Sequence, residues 1–405
     1  MTKQVLLYYC QSTDGEGGLV RAFTIANRLT HRFRVVILNG GLPSPGMSIP
    51  EKVEYIQLPP LRADIDHGDP GSNGSAATQH ESAVRHELII AKYEELKPSV
   101  ILIESYPFGQ RRLTEDPISL IQTARQSASG RPFIICSVED IVADTQFDKE
   151  GRDDRIAGML DTNFDAVIVH SDPSFARLQE FFQPRNTLSM PVYHSGFVSR
   201  DRMKPLPRGK KEERVLVSAG SGASGGKLYR AAAEAHRLLW EIDQLPMTII
   251  TGPDFPHPDL KRLQKLTGNL PELELKRSVP DLGVELSKVR WAVCQCGYNT
   301  AVDVLETGVS ALLMPASDSR RSVQAERLQR LNHWRVARML MPRHLNAASL
   351  ANSIHQLVKF KPLANKFNMD GAEITSNLIY DLSLSGSSRL GNMASRSSSE
   401  RPRAH

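Results

Sequence analysis

The sequence has little that would place the protein in a membrane or in an oxidising compartment. No apolar run approaches the roughly 18 residues that cross a bilayer. The start, MTKQVLLYYC, has neither the long apolar stretch nor the small-residue cleavage site of a secretory signal. The four cysteines lie in or beside apolar runs, which favours buried thiols over a disulfide framework. We therefore expect a cytoplasmic protein with reduced cysteines.

Common signatures of metal and nucleotide sites are also missing. Cys294 and Cys296 have no second Cys or His pair at zinc-site spacing, so a structural role is expected for both. The stretch SAGSGASGGK (218–227) ends on a lysine, but its spacing is not that of a Walker A loop. It also lacks the acidic residue that follows a dinucleotide fingerprint about 20 residues further on. No metal and no resident cofactor are predicted.

The positive charge is concentrated in short clusters. The formal net charge of the 405 residues is +5, with basic clusters at 200–214 and in the C-terminal tail. Such clusters are usual for a solvated linker and a solvated tail. Nucleic acid is therefore not expected as a partner, while peripheral contact with the inner face of a membrane stays open as an alternative.

Short apolar runs recur along the chain and are mostly separated by segments of helical length. The runs are VLLYY, RVVILNG, VEYIQL, SVILIES, PFIICSV, DAVIVHS, RVLVSAG, MTIITG, LELKR, WAVCQCG and SALLMP. Runs of this length, rich in β-branched and aliphatic residues, are typical of parallel strands buried on both faces. Since 405 residues exceed what one core usually organises, we predict an α/β protein with two doubly wound, Rossmann-like domains facing a cleft.

The domain boundaries follow from shifts in composition. The predicted parts are a first domain (1–199) with a mobile loop rich in Gly, Ser and Asp (63–80), a basic linker (200–213), a second domain (214–348), a helical segment (349–382) and a disordered tail (383–405).

In open α/β sheets the ligand lies outside the carboxyl ends of the strands. The candidate stretches there are the opening loop CQSTDGEGGLVR (10–21), 104–109, 139–140, 170–172, 220–226, 251–253, 297–300 and the segment from Pro315 onward. The glycines of 218–227 let backbone amides at a helix start approach an anion such as a nucleotide diphosphate. Asp303 lies one turn into a predicted helix, where its carboxylate either accepts the hydroxyls of a ribose or only favours the helix dipole.

The stretch GYNTAVDVLETGVSALLMP, followed by AERLQRL, resembles the donor-binding half of the family 28 glycosyltransferases of GT-B fold. The likeness is nearest to a branch of predicted glycosyltransferases. It is more distant to the lipid-linked N-acetylglucosaminyl transferase of peptidoglycan synthesis. It continues through LIESYPFGQRR, DAVIVHSDPSF, VYHSGFV, VSAGSGASGG and TGP, and so covers about residues 3–382.

The resemblance implies that the second domain binds a nucleotide-sugar donor, with UDP as the expected nucleotide. The residues implied in donor binding are Gly220, Ser221 and Gly222 at the diphosphate, Ser278 and Val279 at the base, Gly297, Tyr298, Asn299 and Thr300 at the diphosphate and sugar, and Asp303 at the ribose.

The resemblance also implies that the first domain binds the acceptor, a small, peptide-like or lipid-linked molecule. Gly15, Gly17, Gly18 and the loop 63–80 would contribute, and the segment 349–382 would cross back to this domain. The implied reaction inverts the sugar: a base takes the acceptor proton, and helix-end amides stabilise the leaving nucleotide. Such a displacement does not require a metal, and the sequence has no well-placed DxD motif.

The sequence departs from the family pattern in the opening loop. Gly18 stands where the family has a histidine that suits the role of base or acceptor contact. Asp14 or Glu16 is therefore the first candidate for the base, although Asp14 alternatively only shapes the turn. Glu104, Asp140 and His170 are the alternatives at other strand ends, and His170 is equally expected as a structural histidine.

Further departures lie at Glu139-Asp140, where the family tends to have Arg-Asp, and at Arg320 and Arg321, which replace a Glu-Gln pair. The two arginines either bind an acidic donor sugar or phosphate, or begin a helix as solvated side chains. We expect an inverting glycosyltransferase. The alternatives are a non-catalytic GT-B protein that binds a nucleotide or glycan as a partner subunit, and a nucleotide-sugar hydrolase or epimerase of the same fold.

Overall fold

The computed structural model describes residues 3–11, 17–41, 47–59, 76–109, 115–127, 130–142, 149–200, 206–316 and 322–397. For 76–81, 149–150, 208 and 385–397 only the backbone is described.

The first domain contains a seven-stranded parallel sheet with the strand order β3-β2-β1-β4-β5-β6-β7. Its strands are β1 (Val5–Cys10), β2 (Arg34–Asn39), β3 (Val53–Gln57), β4 (Val100–Glu104), β5 (Phe133–Val138), β6 (Ala166–Val169) and β7 (Val192–His194). Its helices are α1 (Gly17–Leu29), α2 (Ala76–Leu96), α3 (Glu115–Gln126), α4 (Lys149–Asn163) and α5 (Leu178–Phe181). The order reverses between β1 and β4, which makes that pair the switch point of the sheet.

The second domain repeats this plan in a six-stranded parallel sheet with the order β10-β9-β8-β11-β12-β13. Its strands are β8 (Glu212–Ser218), β9 (Met247–Ile250), β10 (Leu273–Lys276), β11 (Val289–Gln295), β12 (Ser310–Met314) and β13 (Ala337–Met339). Its helices are α6 (Gly226–Asp243), α7 (His257–Thr267), α8 (Leu282–Lys288), α9 (Tyr298–Thr307), α10 (Val323–His333) and α11 (Ala347–Lys359). The switch point of this sheet lies between β8 and β11.

The apolar runs of the sequence are confirmed as strands, and the predicted parallel sheets are confirmed with them. The sequence did not predict β7 and β13. Each has three residues and lies at the edge of its sheet, and only one residue of β13 and none of β7 is fully buried. Edge strands this short carry no continuous apolar run.

The hydrophobic core crosses the domain boundary. One cluster of buried residues contains Ile103 and Val169 of the first sheet together with Cys294 and Leu313 of the second. All four cysteines are buried and free, as predicted. Burial raises the pKa of Cys294 and of Cys296 to about 12, so both are neutral thiols.

After α11, which packs on α6, the chain returns to the first domain. The last helix, α12 (Gly371–Ser397), packs on α1. Arg32 donates from Nη2 to Asn377 Oδ1 at 2.5 Å, and the rings of Phe33 and Tyr380 meet edge to face.

The structure differs from the predicted boundaries at two segments. Residues 76–80 of the predicted loop 63–80 begin α2, since AATQH contains no residue that breaks a helix, and 63–75 lie outside the described residues. Part of the predicted tail 383–405 continues α12 as far as Ser397, because the sequence from Gly371 to Arg401 contains no proline. Within the described parts of the chain, no helix is long and apolar enough to span a membrane.

Candidate functional site

The carboxyl ends of β8 and β11 carry two glycine turns side by side. The strands are in register through Cys294 and Ser218, so the turns that follow them are neighbours. Ser224 in the first turn donates its hydroxyl to Gln295 Oε1 at 3.0 Å, which joins the two turns directly. Since this is the switch point of the second sheet, it is the expected place for a ligand.

The turn after β8 requires glycine for two different reasons. At Gly222, with φ +94°, a Cβ atom would lie 1.8 Å from the carbonyl oxygen of Thr251, so no side chain fits. Gly220 also has a positive φ, +66°, but a Cβ atom there would meet nothing within 4 Å in the described part of the chain. Gly220 therefore leaves its backbone open on the side where a ligand could approach.

The turn after β11 opens in the same way. Gly297 is the N-cap of α9, and a Cβ atom on it would meet none of the residues that the structure describes within 4 Å. Gly297 has no side chain to cap α9, whereas Asp281 caps α8 and Ser322 caps α10. The positive end of α9, with no acidic residue in its first turn, is thus available to an anion.

Asp303 lies one turn into α9 and is buried, with an exposed fraction of 3%. Its Oδ2 is 3.7 Å from Nη2 of Arg200, and Nη1 of Arg200 is 3.2 Å from Oδ2 of Asp281. The other oxygen of Asp281 accepts from the backbone of Gly283 and so fixes that carboxylate in place. Arg200 therefore lies between two carboxylates, and one of them, Asp281, follows the predicted nucleoside subsite at Ser278 and Val279 closely along the chain.

The first turn of α9 also contacts the first domain. Asn299 donates from Nδ2 to the carbonyl oxygen of Gly17 at 3.0 Å, so the starts of α1 and α9 meet. The Tyr298 hydroxyl donates to the carbonyl oxygen of His170 at 2.9 Å and accepts from the amide of Val198 at 3.1 Å. Tyr298, one of the residues predicted to border the diphosphate and sugar, therefore uses its hydroxyl in the contact between the domains.

Arg21 of α1 forms the first half of a buried ion network. Its guanidinium contacts Oε1 of Glu104 from both Nε, at 3.0 Å, and Nη2. Its Nη1 donates to Oε1 of Glu139 at 2.9 Å. Burial alone would lower the pKa of Arg21, but these carboxylates outweigh burial and raise it.

Arg327 of α10 forms the second half and comes from the other domain. Its Nε and Nη2 donate to the two oxygens of Asp140 at 2.7 and 2.6 Å, and Nη2 also reaches Oε2 of Glu139 at 3.1 Å. The carbons Cζ of Arg21 and Arg327 lie 4.9 and 5.7 Å from the centroid of the Tyr298 ring. Burial opposes ionisation of Glu139, but the two guanidiniums lower the pKa of its carboxyl.

A chain of hydrogen bonds continues from Glu104 to His170. Oε2 of Glu104 accepts from the hydroxyls of Tyr8 and Ser137 at 2.6 and 2.8 Å. Ser137 Oγ lies 2.8 Å from His170 Nε2, and His170 Nδ1 lies 3.0 Å from Ser195 Oγ. Burial and, second, the charge of Arg21 lower the pKa of His170, which keeps the imidazole neutral at neutral pH.

The structure thus joins Glu104, Asp140 and His170, the alternative candidates for the base, in one network, and all three are buried and hydrogen-bonded. Gly17 and Gly18 begin α1 beside Asn299. The predicted residues Asp14, Gly15, Glu16, Arg320 and Arg321 lie outside the described residues.

The sequence patterns did not indicate a role for Arg21, Arg200 or Arg327, although Arg21 ends the candidate stretch 10–21. Arg21 and Arg327 each stand on the buried face of an amphipathic helix, between apolar positions such as Leu19 and Ala22. An arginine on the apolar face of a predicted helix is the sequence signal that could have identified Arg21 and Arg327, because a buried guanidinium needs an acidic partner. Among the residues that the structure describes, no group of three or more His, Cys, Asp or Glu is placed to hold a metal ion.

Comparison with known proteins identifies the fold. No protein-family model and no curated protein matches the sequence. The calicheamicin glycosyltransferase CalG4 is similar in structure, with 15% identity, 98% of each chain covered and a TM-score of 0.58. MurG of Acinetobacter baumannii has 14% identity, 95% of this chain and 99% of its own covered, and a TM-score of 0.56.

UGT2 of Phytolacca americana, in complex with UDP-2fluoro-glucose and pterostilbene, has 14% identity and a TM-score of 0.56. Here 98% of this chain and 99% of UGT2 are covered. The chain therefore has the GT-B fold that the sequence resemblance implied, over nearly its whole length.

Proposed function

We propose that the protein is an inverting glycosyltransferase that takes a sugar from a nucleotide-diphosphate sugar, with UDP as the expected nucleotide. The observation that carries the proposal is the pair of open glycine turns, Gly220 and Gly297, at the switch point of the second sheet. The fold supports it, because UGT2 of the same fold holds UDP-2fluoro-glucose.

The diphosphate would lie against the two turns and the start of α9. Backbone N–H groups at an uncapped helix start stabilise negative charge, and this effect grows as the leaving nucleotide gains charge during the displacement. No metal is needed in this scheme, since the helix end supplies the positive potential.

Asp303 would accept the ribose hydroxyls, and Ser278 and Val279 would hold the base through their backbone. Arg200 contacts Asp303 and Asp281, so its guanidinium lies beside the ribose position and balances the charge of both carboxylates. A neutral ribose can then bind without leaving Asp303 as an unpaired buried charge.

The acceptor would bind on the first domain, near the start of α1, as a small, peptide-like or lipid-linked molecule. Its hydroxyl must lose a proton to a base. Asp14 and Glu16, directly before α1, are the proposed candidates, because Glu104 and Asp140 are committed to the buried arginines.

A second function, binding of a nucleotide or glycan without transfer, is favoured by one observation. Every proposed base among the described residues is buried, and each carboxylate among them is held by a guanidinium. In that case the donor turns would bind a ligand, but no group would activate an acceptor.

A thermal-shift screen with UDP, GDP, TDP and CDP tests the proposal. We expect at least one nucleotide to raise the melting temperature, and Asp303→Ala to abolish that rise, since the ribose loses its partner. Asp243→Ala is the control, because Asp243 pairs with His355 at the end of α6, far along the chain from the donor turns. No rise with any nucleotide would refute the donor site.

Hydrolysis or transfer assays with the matching nucleotide sugar then separate the functions. Turnover that is lost in Asp14→Ala or Glu16→Ala supports the transferase. Nucleotide binding with no turnover toward any acceptor supports the binding protein, and release of free sugar alone supports a hydrolase.

A further inference from the structure

The buried network joins the donor turn to the first domain through one side chain. Arg327 Nη1 donates to the carbonyl oxygen of Cys296 at 3.4 Å, and Cys296 directly precedes the open Gly297. The other nitrogens of the same guanidinium bind Asp140 and Glu139 at the end of β5. Arg327 therefore contacts both sides of the interdomain cleft at once.

The geometry of this contact is restrictive. The two parallel bonds from Arg327 to Asp140 fix both the distance and the orientation of the two groups, which a single charge contact would not do. The side chains of Arg327 and Asp140 are 2% and 0% exposed. Salt in the solvent consequently screens this pair little.

We propose that Arg327 is a positioning residue that fastens the two domains in one relative orientation, even without a ligand. A small relative movement of the domains that admits no water would separate Arg327 from Asp140 and leave both charges buried without partners, which is strongly unfavourable. The role of Arg327 in domain orientation does not depend on the proposed function; only its effect on the distance between donor and acceptor rests on that function. If Gly297 lies at the donor diphosphate, Arg327 also sets the distance from donor to acceptor.

Arg330, one turn further along α10, provides a matched comparison. It also bridges the domains, donating to the carbonyl oxygen of Phe175 at 2.6 Å and to Oε2 of Glu180 at 2.7 Å. Its side chain is 22% exposed and that of Glu180 is 41% exposed. Water can replace these bonds when the domains separate, so Arg330 should hold the domains much less firmly.

The test is a distance measurement by pulsed electron paramagnetic resonance on the nucleotide-free protein. Spin labels at Ala91→Cys on α2 and Lys261→Cys on α7, both exposed, report one position in each domain. The native cysteines do not interfere, because all four are buried. Circular dichroism confirms that each variant is folded.

We expect one narrow distance distribution in the parent and in Arg330→Leu, and a second, longer population in Arg327→Leu. If Arg327→Leu does not fold, Arg327→Lys, which keeps the charge but loses the forked geometry, should give the longer population instead. An unchanged distribution in both Arg327 variants, or equal broadening in Arg330→Leu, overturns the proposal. Because no nucleotide is present, this result is independent of the thermal-shift screen for the donor site.

Discussion

At the scale of single residues, a substitution at Gly297 tests whether the turn after β11 binds a ligand or only bends the chain. A Cβ atom there meets no other described residue within 4 Å, and φ of −71° suits any residue. We predict that Gly297→Ala changes the free energy of unfolding by less than about 1 kcal/mol. It should still weaken nucleotide binding roughly tenfold or more, which corresponds to about 1.4 kcal/mol, because the methyl group would occupy the diphosphate position. Calorimetric titration with UDP measures the change.

Gly158→Ala is the matched control for this substitution. Gly158 lies inside α4 of the first domain, and among the described residues a Cβ atom there also meets nothing within 4 Å. This variant should bind UDP like the parent and gain about 0.5–1 kcal/mol of stability from the helix. If Gly297→Ala binds UDP as tightly as Gly158→Ala does, the diphosphate does not lie at Gly297.

Among single residues, those in local motifs were predictable from the sequence, whereas pairs from distant parts of the chain were not. The glycine turns and Asp303 were found because strand, turn and helix follow one another locally in the chain. The pairing of Arg327 with Asp140 joins residues 187 positions apart and depends on how two domains meet. Residue types alone do not specify how two domains pack. Glu139 and Asp140 were therefore recognised as cleft residues but not as partners of buried arginines.

At the scale of elements, a second buried arginine ties the strand ends of the first domain to its helices. Arg85 of α2 is fully buried and contacts Asp116 of α3 through Nε, at 2.9 Å, and Nη2. Its Nη1 also donates to the carbonyl oxygens of Gly40, at 3.0 Å, and Pro59. The single side chain therefore joins two helices to the segments after β2 and β3.

We predict that Arg85→Met destabilises the protein by about 3–5 kcal/mol, because Asp116 would remain as a buried charge without its partner. Arg34→Met is the comparison, since Arg34 and Glu54 form an ion pair whose side chains are about half exposed. Its loss should cost at most about 1 kcal/mol. Urea denaturation measures the free energy of unfolding of both variants. Similar decreases in this free energy in the two variants would contradict the structural role of Arg85.

The elements themselves were largely predictable from sequence. Runs such as VILIE and SALLM are apolar throughout because both faces of a parallel strand are covered, and both proved fully buried. The short edge strands β7 and β13 carry no such run. The start of α2 was obscured by the Gly- and Ser-rich stretch before it, and the end of α12 by serines that are compatible with either helix or tail.

At the scale of the whole molecule, two sheets of the same strand order face each other through their switch points. Asn299 and Gly17 meet there, and one apolar cluster continues from the first sheet into the second. The resemblance of donor motifs predicted this GT-B arrangement, and solved glycosyltransferase structures share it over nearly the whole chain. The side-chain contacts of Tyr298 and Arg327 with the first domain, by contrast, did not follow from the sequence, because they join residues far apart in the chain.

The most direct test of the account is a crystal structure with the nucleoside diphosphate that gives the largest thermal shift. We expect the diphosphate against the backbone of Gly220 and Gly297 at the start of α9, and the ribose hydroxyls on Asp303. Density for the nucleotide elsewhere, with the two glycine turns empty, would contradict the assignment of the donor site.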